Sequence, residues 1–153
     1  MEEELKLATL AQVAQALNAA GVLWAIGASA LLYLEGVVEE FNDFDLLIYP
    51  EHLAAAQQAF ASLGAQALPQ GAPSKVYATD SFCEYRLSGV DFDLLCNFAV
   101  RRKDATYRYA FDEDRISGSA DVLGERIPLS PLEDWFVLYM LMPGRMKKAA
   151  LIA

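Results

Sequence analysis

Asp43-Phe44-Asp45-Leu46-Leu47 returns later in the chain as Asp91-Phe92-Asp93-Leu94-Leu95. Each copy opens an apolar stretch that reads as a buried strand. Residues two apart on a strand point the same way, so each copy sets two carboxylates on one face. Were the two strands neighbours in a sheet, up to four carboxylates would converge. Such a cluster repels itself unless a cation or protons neutralise it. Hard divalent ions such as Mg²⁺ take oxygen ligands of this kind. A single Asp-x-Asp can simply mark a strand start, where it accepts hydrogen bonds from turn amides. Two matched copies with nothing similar around them point to a site rather than to a duplication.

Outward from these copies the chain alternates helix and strand signals. Residues 3–20 carry Leu10, Val13, Ala14 and Leu17 at helical spacing, and Gly21 is a natural stop. Val22-Leu23-Trp24-Ala25-Ile26 is a short apolar run suited to a strand buried on both faces. Gly27 marks a turn, Ala28 to Leu34 return to helix formers, and Phe44 to Tyr49 form the next strand. Pro50-Glu51 opens a helix with Leu53, Ala56, Phe60 and Leu63 on one face, closed by Gly64. Residues 65–75, with Pro69, Gly71 and Pro73, read as a loop. Phe82 to Leu87, a Ser88-Gly89 turn and Val90 to Phe98 read as a hairpin, and a second pair, Arg115 to Ala120 and Glu125 to Leu129, surrounds Gly124. Ser130-Pro131-Leu132-Glu133 reads as a capping box with proline at the first helical position. These elements predict one α+β domain over residues 1–153, a mixed β-sheet with packed helices.

The strand-turn-helix Ile26-Gly27-Ala28-Ser29-Ala30 is a second candidate feature. Glycine lets a backbone approach a ligand, a helix start offers free amides to an anion, and Ser29 could add a hydroxyl. The same small residues also suit a tight turn that packs a helix on a sheet. Carboxylates on nearby strands favour the phosphate alternative, since metal ions and phosphates belong in one site.

The 153 residues are 55% hydrophobic and 22% charged, which excludes a disordered chain. A net charge of −9 argues against a broad phosphate-backbone footprint. Two basic runs, Arg101-Arg102-Lys103 and Arg145-Met146-Lys147-Lys148, read as solvated surface. The acidic start Met1-Glu2-Glu3-Glu4 is unlike a secretory signal, and the longest apolar run, Trp135 to Met142, is too short to span a bilayer. Cys83 and Cys96 lie in strand-like segments, and His52, which reads as surface, leaves a zinc site short of ligands. A soluble, cytoplasmic protein is expected. The Trp135–Met142 run is apolar on every face of its helix, so it needs cover from the core or from a homodimer or partner chain.

The order Gly27-Ala28-Ser29-Ala30, Asn42-Asp43-Phe44-Asp45-Leu46 and Val90-Asp91-Phe92-Asp93-Leu94 resembles the nucleotidyltransferase superfamily related to DNA polymerase beta. It looks most like the small bacterial branch with aminoglycoside and toxin–antitoxin nucleotidyltransferases. The tail from Ile127 to Asp134, followed by Gly144-Arg145-Met146-Lys147-Lys148, is similar to the segment that closes those domains, so the likeness spans residues 22–148. The resemblance implies metal-dependent transfer of a nucleoside monophosphate from a nucleoside triphosphate such as ATP to a hydroxyl. Asp43 and Asp45 would hold Mg²⁺ or Mn²⁺, with Asp93, or else Asp91, as third acid and Asp93 as general base. Gly27 with Ala28 or Ser29 would cradle the triphosphate. The family places Gly or Ser where this chain has Ala28, and a lysine on its last helix where this chain has the apolar Val137-Leu138-Tyr139-Met140. The acceptor, whether small molecule, RNA or protein, stays open. The alternative implied is an inactive nucleotidyltransferase fold that acts by binding a partner protein.

Overall fold

The computed structural model describes residues 2–69, 81–102, 105–142 and 145–152. Helix α1 (Glu2–Ala19) is followed by strand β1 (Trp24–Gly27), helix α2 (Ala28–Leu34), strand β2 (Phe44–Ile48) and helix α3 (Leu53–Ser62). Short β3 (Gln66–Ala67) precedes the long pair β4 (Ser81–Leu87) and β5 (Val90–Cys96). A small ribbon, β6 (Ala99–Arg102) and β7 (Ala105–Arg108), leads to β8 (Gly118–Val122), β9 (Glu125–Leu129), α4 (Leu132–Leu141) and α5 (Met146–Ile152). The seven-stranded sheet runs β3-β4-β5-β2-β1-β9-β8, and the ribbon stands apart as a second sheet. The expected α+β class with a mixed sheet is present: β2 with β5 and β1 with β9 run parallel, and the other neighbours are antiparallel.

The repeated pentapeptides are neighbours in register. Phe44 pairs with Phe92, Asp45 with Asp93, Leu46 with Leu94 and Leu47 with Leu95. Alternation then sorts the side chains by face. The phenylalanines enter one side of the sheet, where rings contact in series from Phe41 through Phe44 and Phe92 to Phe60 of α3. Helices α1 and α3 pack together there, with Leu10, Val13, Ala14 and Leu17 of α1 fully buried, as their spacing predicts. The aspartates take the opposite side. On that side, at Gly27, which pairs with Asp45, lies the indole of Trp135 from α4.

The turn between β4 and β5 has both central residues in the left-handed region, Ser88 at φ 53° and Gly89 at φ 77°. That geometry follows the twist of the strands and fixes their register.

Several expectations are corrected. The β1 strand starts two residues later than its apolar run and takes in Gly27 instead of ending before it. Pro50 to His52 form a 3₁₀ turn ahead of α3 rather than the first turn of the α-helix. Part of the expected loop at 65–75 pairs as β3, while Gly71 and Pro73 lie outside the described residues. Strand β8 begins at Gly118, because Asp112 caps a 3₁₀ turn at Glu113–Arg115 by accepting from the Asp114 amide. The capping box does not form: α4 begins at Leu132, and Ser130 has no capping bond. Its hydroxyl is used in the core, donating to the Ile26 carbonyl at 2.6 Å and accepting from Trp135 Nε1 at 2.9 Å. His52 is not simply surface either, since its Nδ1 accepts the Leu23 amide at 2.9 Å. The α4 helix buries Trp135, Leu138 and Tyr139 but leaves Val137 55% exposed, so the core covers one side of it.

Two adjoining substitutions test the end of β1. A Cβ on Gly27 would lie 2.3 Å from the Trp135 indole, so Gly27→Ala should cost about 1–3 kcal/mol in urea unfolding. Ala28 sits at φ 54°, a conformation that L side chains adopt at a cost. Ala28→Gly should therefore stabilise by about 0.5–1 kcal/mol in the same assay, strain relief exceeding the added chain entropy.

Candidate active site

The site forms because a parallel pairing in register brings two short aspartate motifs side by side. Asp45 and Asp93 are direct cross-strand partners, and their carboxyls are hydrogen-bonded to each other. A bond between two carboxyl groups needs a proton. Burial pushes the Asp45 carboxyl well above the ordinary carboxylate range, and the charge of Asp93 pushes it further. Asp93 rises to about 6, chiefly through burial, with Glu84 of β4, its other cross-strand partner, adding repulsion. Lys148 of α5 opposes the rise at Asp45.

The outer pair behaves differently. Asp43 lies at the exposed rim; partial desolvation of its carboxyl raises it, as does the charge of Asp91, against the pull of Lys6 and Arg86. Asp91 is held by Arg86, its cross-strand partner on β4, through Nε to Oδ1 at 2.7 Å and Nη2 to Oδ2 at 3.3 Å. The structure thus brings all four aspartates to one face, with Asp45 and Asp93 in contact and Asp91 committed to an arginine. Among the described residues no group of three or more His, Cys, Asp or Glu closes around a point an ion could fill. The contacting pair still fits a magnesium-like ion, which keeps several waters and takes one or two protein carboxylates plus substrate oxygens. Two carboxyls that stay together only by retaining a proton are a donor set that a cation would complete.

Gly27 ends β1 directly opposite Asp45, and Ala28 and Ser29 start α2 beside it, half-buried. The turn is therefore next to the carboxylates, as the sequence order requires for a shared site. The hydroxyl of Ser130 ties β1 to α4, and the Trp135 ring fills the space above Gly27.

The sequence reading missed Lys148, Glu84 and Arg86. The apolar α4 indeed carries no lysine, but the cation arrives one helix later: Lys148 lies with its Nζ 5.6 Å from the Tyr139 ring centre and acts on Asp45. Partial burial, followed by repulsion from Arg145, lowers its pKa. A signal existed, since Lys148, Ala149 and Ile152 share a helical face on which Ala149 is buried. Arg86 and Glu84 had no signal before the register of β4 on β5 was fixed.

The raised carboxyls give a sign-defined pH effect. The native protein holds more protons than the unfolded chain between about pH 4, the usual Asp value, and pH 6. The stability contributed by the Asp93 carboxyl is therefore complete below that window and falls as pH rises through 6. In metal-free buffer, Asp93→Asn should raise the melting temperature at pH 7.5 and flatten its decline from pH 5. Allowing for screening by water at the rim, the gain should be about 1–2 kcal/mol.

No protein-family model matches the sequence, nor does any curated protein. Solved structures do match. A Thermotoga maritima protein designated a nucleotidyltransferase superposes with a TM-score of 0.73 at 22% identity, covering 94% of this chain and 88% of that one. ANT(2″)-Ia, solved with adenylyl-2″-tobramycin, gives 0.66 at 14% identity over 97% of this chain and 87% of its own. The lincosamide antibiotic adenylyltransferase LnuA, solved with lincomycin, gives 0.59 at 15% identity over 99% and 96%. The fold of this chain is that of the nucleotidyltransferases.

Proposed function

We propose that this chain is a metal-dependent nucleotidyltransferase, moving a nucleoside monophosphate from a nucleoside triphosphate to a hydroxyl. The observation that carries the proposal is the contact between Asp45 and Asp93, in register across β2 and β5 and opposite the Gly27 turn, in a nucleotidyltransferase fold. Asp45 and Asp43 would hold Mg²⁺ or Mn²⁺. When bound, the ion would offset phosphate charge and make the acceptor oxygen more nucleophilic.

Asp93 is the third acid. The two bonds that Asp91 makes to Arg86 favour Asp93 over Asp91 in that role. A carboxyl near pKa 6 is suited to accepting a proton around neutral pH. The acceptor oxygen forms a bond to the α-phosphorus, its proton passes to Asp93, and the bond from that phosphorus to the bridging oxygen breaks to release pyrophosphate. Gly27, Ala28 and Ser29 would hold the triphosphate, and Lys148 would add a positive charge beside Asp45.

A second reading, an inactive fold that binds a partner chain or a second copy, draws on the α4–α5 surface. Val137, Met146 and Leu151 are each 55% exposed there. In that case substituting the aspartates should leave the protein's role intact.

Thermal unfolding separates the two. Mg²⁺ or Mn²⁺ together with ATP, at ten times the dissociation constant, should add roughly 1.4 kcal/mol, or about 3–5 °C. The shift should need both ligands and vanish in Asp45→Asn. No shift in the wild type under any condition favours the partner-binding reading.

A further inference from the structure

Lys6 reaches from helix α1 to the segment that leads into the site. It is half-buried, and its ammonium donates to the carbonyl of Phe41 at 2.8 Å, with Nζ 5.0 Å from the centre of the Phe41 ring. A lysine stem lies readily on apolar surface, but its ammonium gives up water only for a good acceptor. The contact spans 35 positions of sequence, so it is a tertiary tether rather than part of either element.

The tether holds one end of a two-residue span. Phe41 and Phe44 are buried with ring centres 5.0 Å apart, and Phe41 also meets Tyr33 of α2 at 4.9 Å. Asn42 and Asp43, between the two phenylalanines, are exposed. The far end of the span is fixed by the sheet, where Phe44 pairs with Phe92. Phe41 precedes β2 and lies outside that ladder, so Lys6 supplies its carbonyl with the donor that a strand neighbour would otherwise give. Asp43 therefore stands at the rim next to two anchored residues, and the charge of Lys6 reaches it. Were Phe41 released, the Asp43 carboxyl would move while Asp45 stayed in the sheet. Side chains that share one ion have to keep their relative positions within about half an ångström.

Resting on the nucleotidyltransferase reading above, we propose that Lys6 is a positioning residue, which by holding the Phe41 carbonyl sets the Asp43 carboxylate for the divalent ion shared with Asp45. Lys6 touches neither the ion nor the substrate in this role. Its charge is a separate influence, attracting a triphosphate and repelling a metal ion. Salt screens that long-range influence but weakens a partly buried tether much less, so ionic strength separates the two.

The test is isothermal titration calorimetry of the full chain with Mn²⁺–ATP. Lys6→Met should weaken binding about tenfold, the usual scale for losing a residue that orients a metal ligand. The ratio to wild type should hold between about 0.05 and 0.5 M KCl. Lys6→Ala is the second variant and should behave alike, since methionine and alanine both favour helix and metal-free melting checks that each folds. Lys6→Arg, which keeps a cationic donor, should restore most of the affinity. Asp43→Asn should cost at least as much as Lys6→Met. Wild-type affinity in both uncharged variants overturns the proposal, even where their metal-free melting temperature falls, because the tether is then structural only. So does a deficit that disappears at high salt, an arginine as poor as methionine, or wild-type affinity in Asp43→Asn. Absent Mn²⁺–ATP binding in the wild type, or binding that survives intact in Asp45→Asn, overturns instead the nucleotidyltransferase reading beneath it, and the role of Lys6 with it.

Discussion

Everything at the candidate site depends on the parallel pairing of β2 with β5. It lays two identical pentapeptides side by side, so that phenylalanine meets phenylalanine and aspartate meets aspartate. The aromatic side of this pairing is favourable, because Phe44 and Phe92 stack at 5.1 Å between ring centres and extend to Phe60. The carboxylate side is unfavourable at neutral pH without a neutralising partner. The buried rings thus hold in place two carboxyls that could not both ionise at this distance without repelling each other. This is a common arrangement at functional sites, where local strain is maintained by packing nearby.

A second fixture sits on the other edge of the site. The Ser130 hydroxyl donates to Ile26 and accepts from Trp135, so one buried oxygen joins the end of β1 to α4. Glycine is needed at position 27 because the indole occupies the space of any side chain, not because of its backbone angles. The positive φ falls instead on Ala28, one residue later. The turn therefore combines a tight contact with a strained residue where the start of α2 meets the carboxylates.

The helices α1 to α3 and the strands that carry the aspartates were legible in the sequence because they rest on short, strong periodic signals. Leu10, Val13, Ala14 and Leu17 mark their helix face, and the twin pentapeptides mark two buried strands, whose adjacency and register only the fold supplies. Elements set by tertiary contact were not legible. Ser130 has the local signature of a cap, yet a buried carbonyl and an indole compete for its hydroxyl and win. His52 reads as surface until the Leu23 amide, distant in sequence, is seen to need an acceptor. The ribbon β6–β7 was hidden because β7 is exposed along its whole length and so lacks apolar alternation. Lys148 was hidden inside a run of basic residues, and only the packing of α5 selects it.

The two-residue turn at Ser88-Gly89 has a consequence for how this protein can vary. Its backbone angles fix which residue of β5 faces each residue of β4, and so which side of the sheet each β5 side chain enters. A strand has a side-chain period of two, so a slip of one position exchanges its faces. Loss or gain of one residue at this turn would send Asp91 and Asp93 toward the aromatic core and Phe92 into the site. Point substitutions along β5 are graded in effect, but a change of length here is all or none. Lineages of this fold should therefore accumulate insertions elsewhere on the surface and keep the spacing between this turn and the second pentapeptide constant.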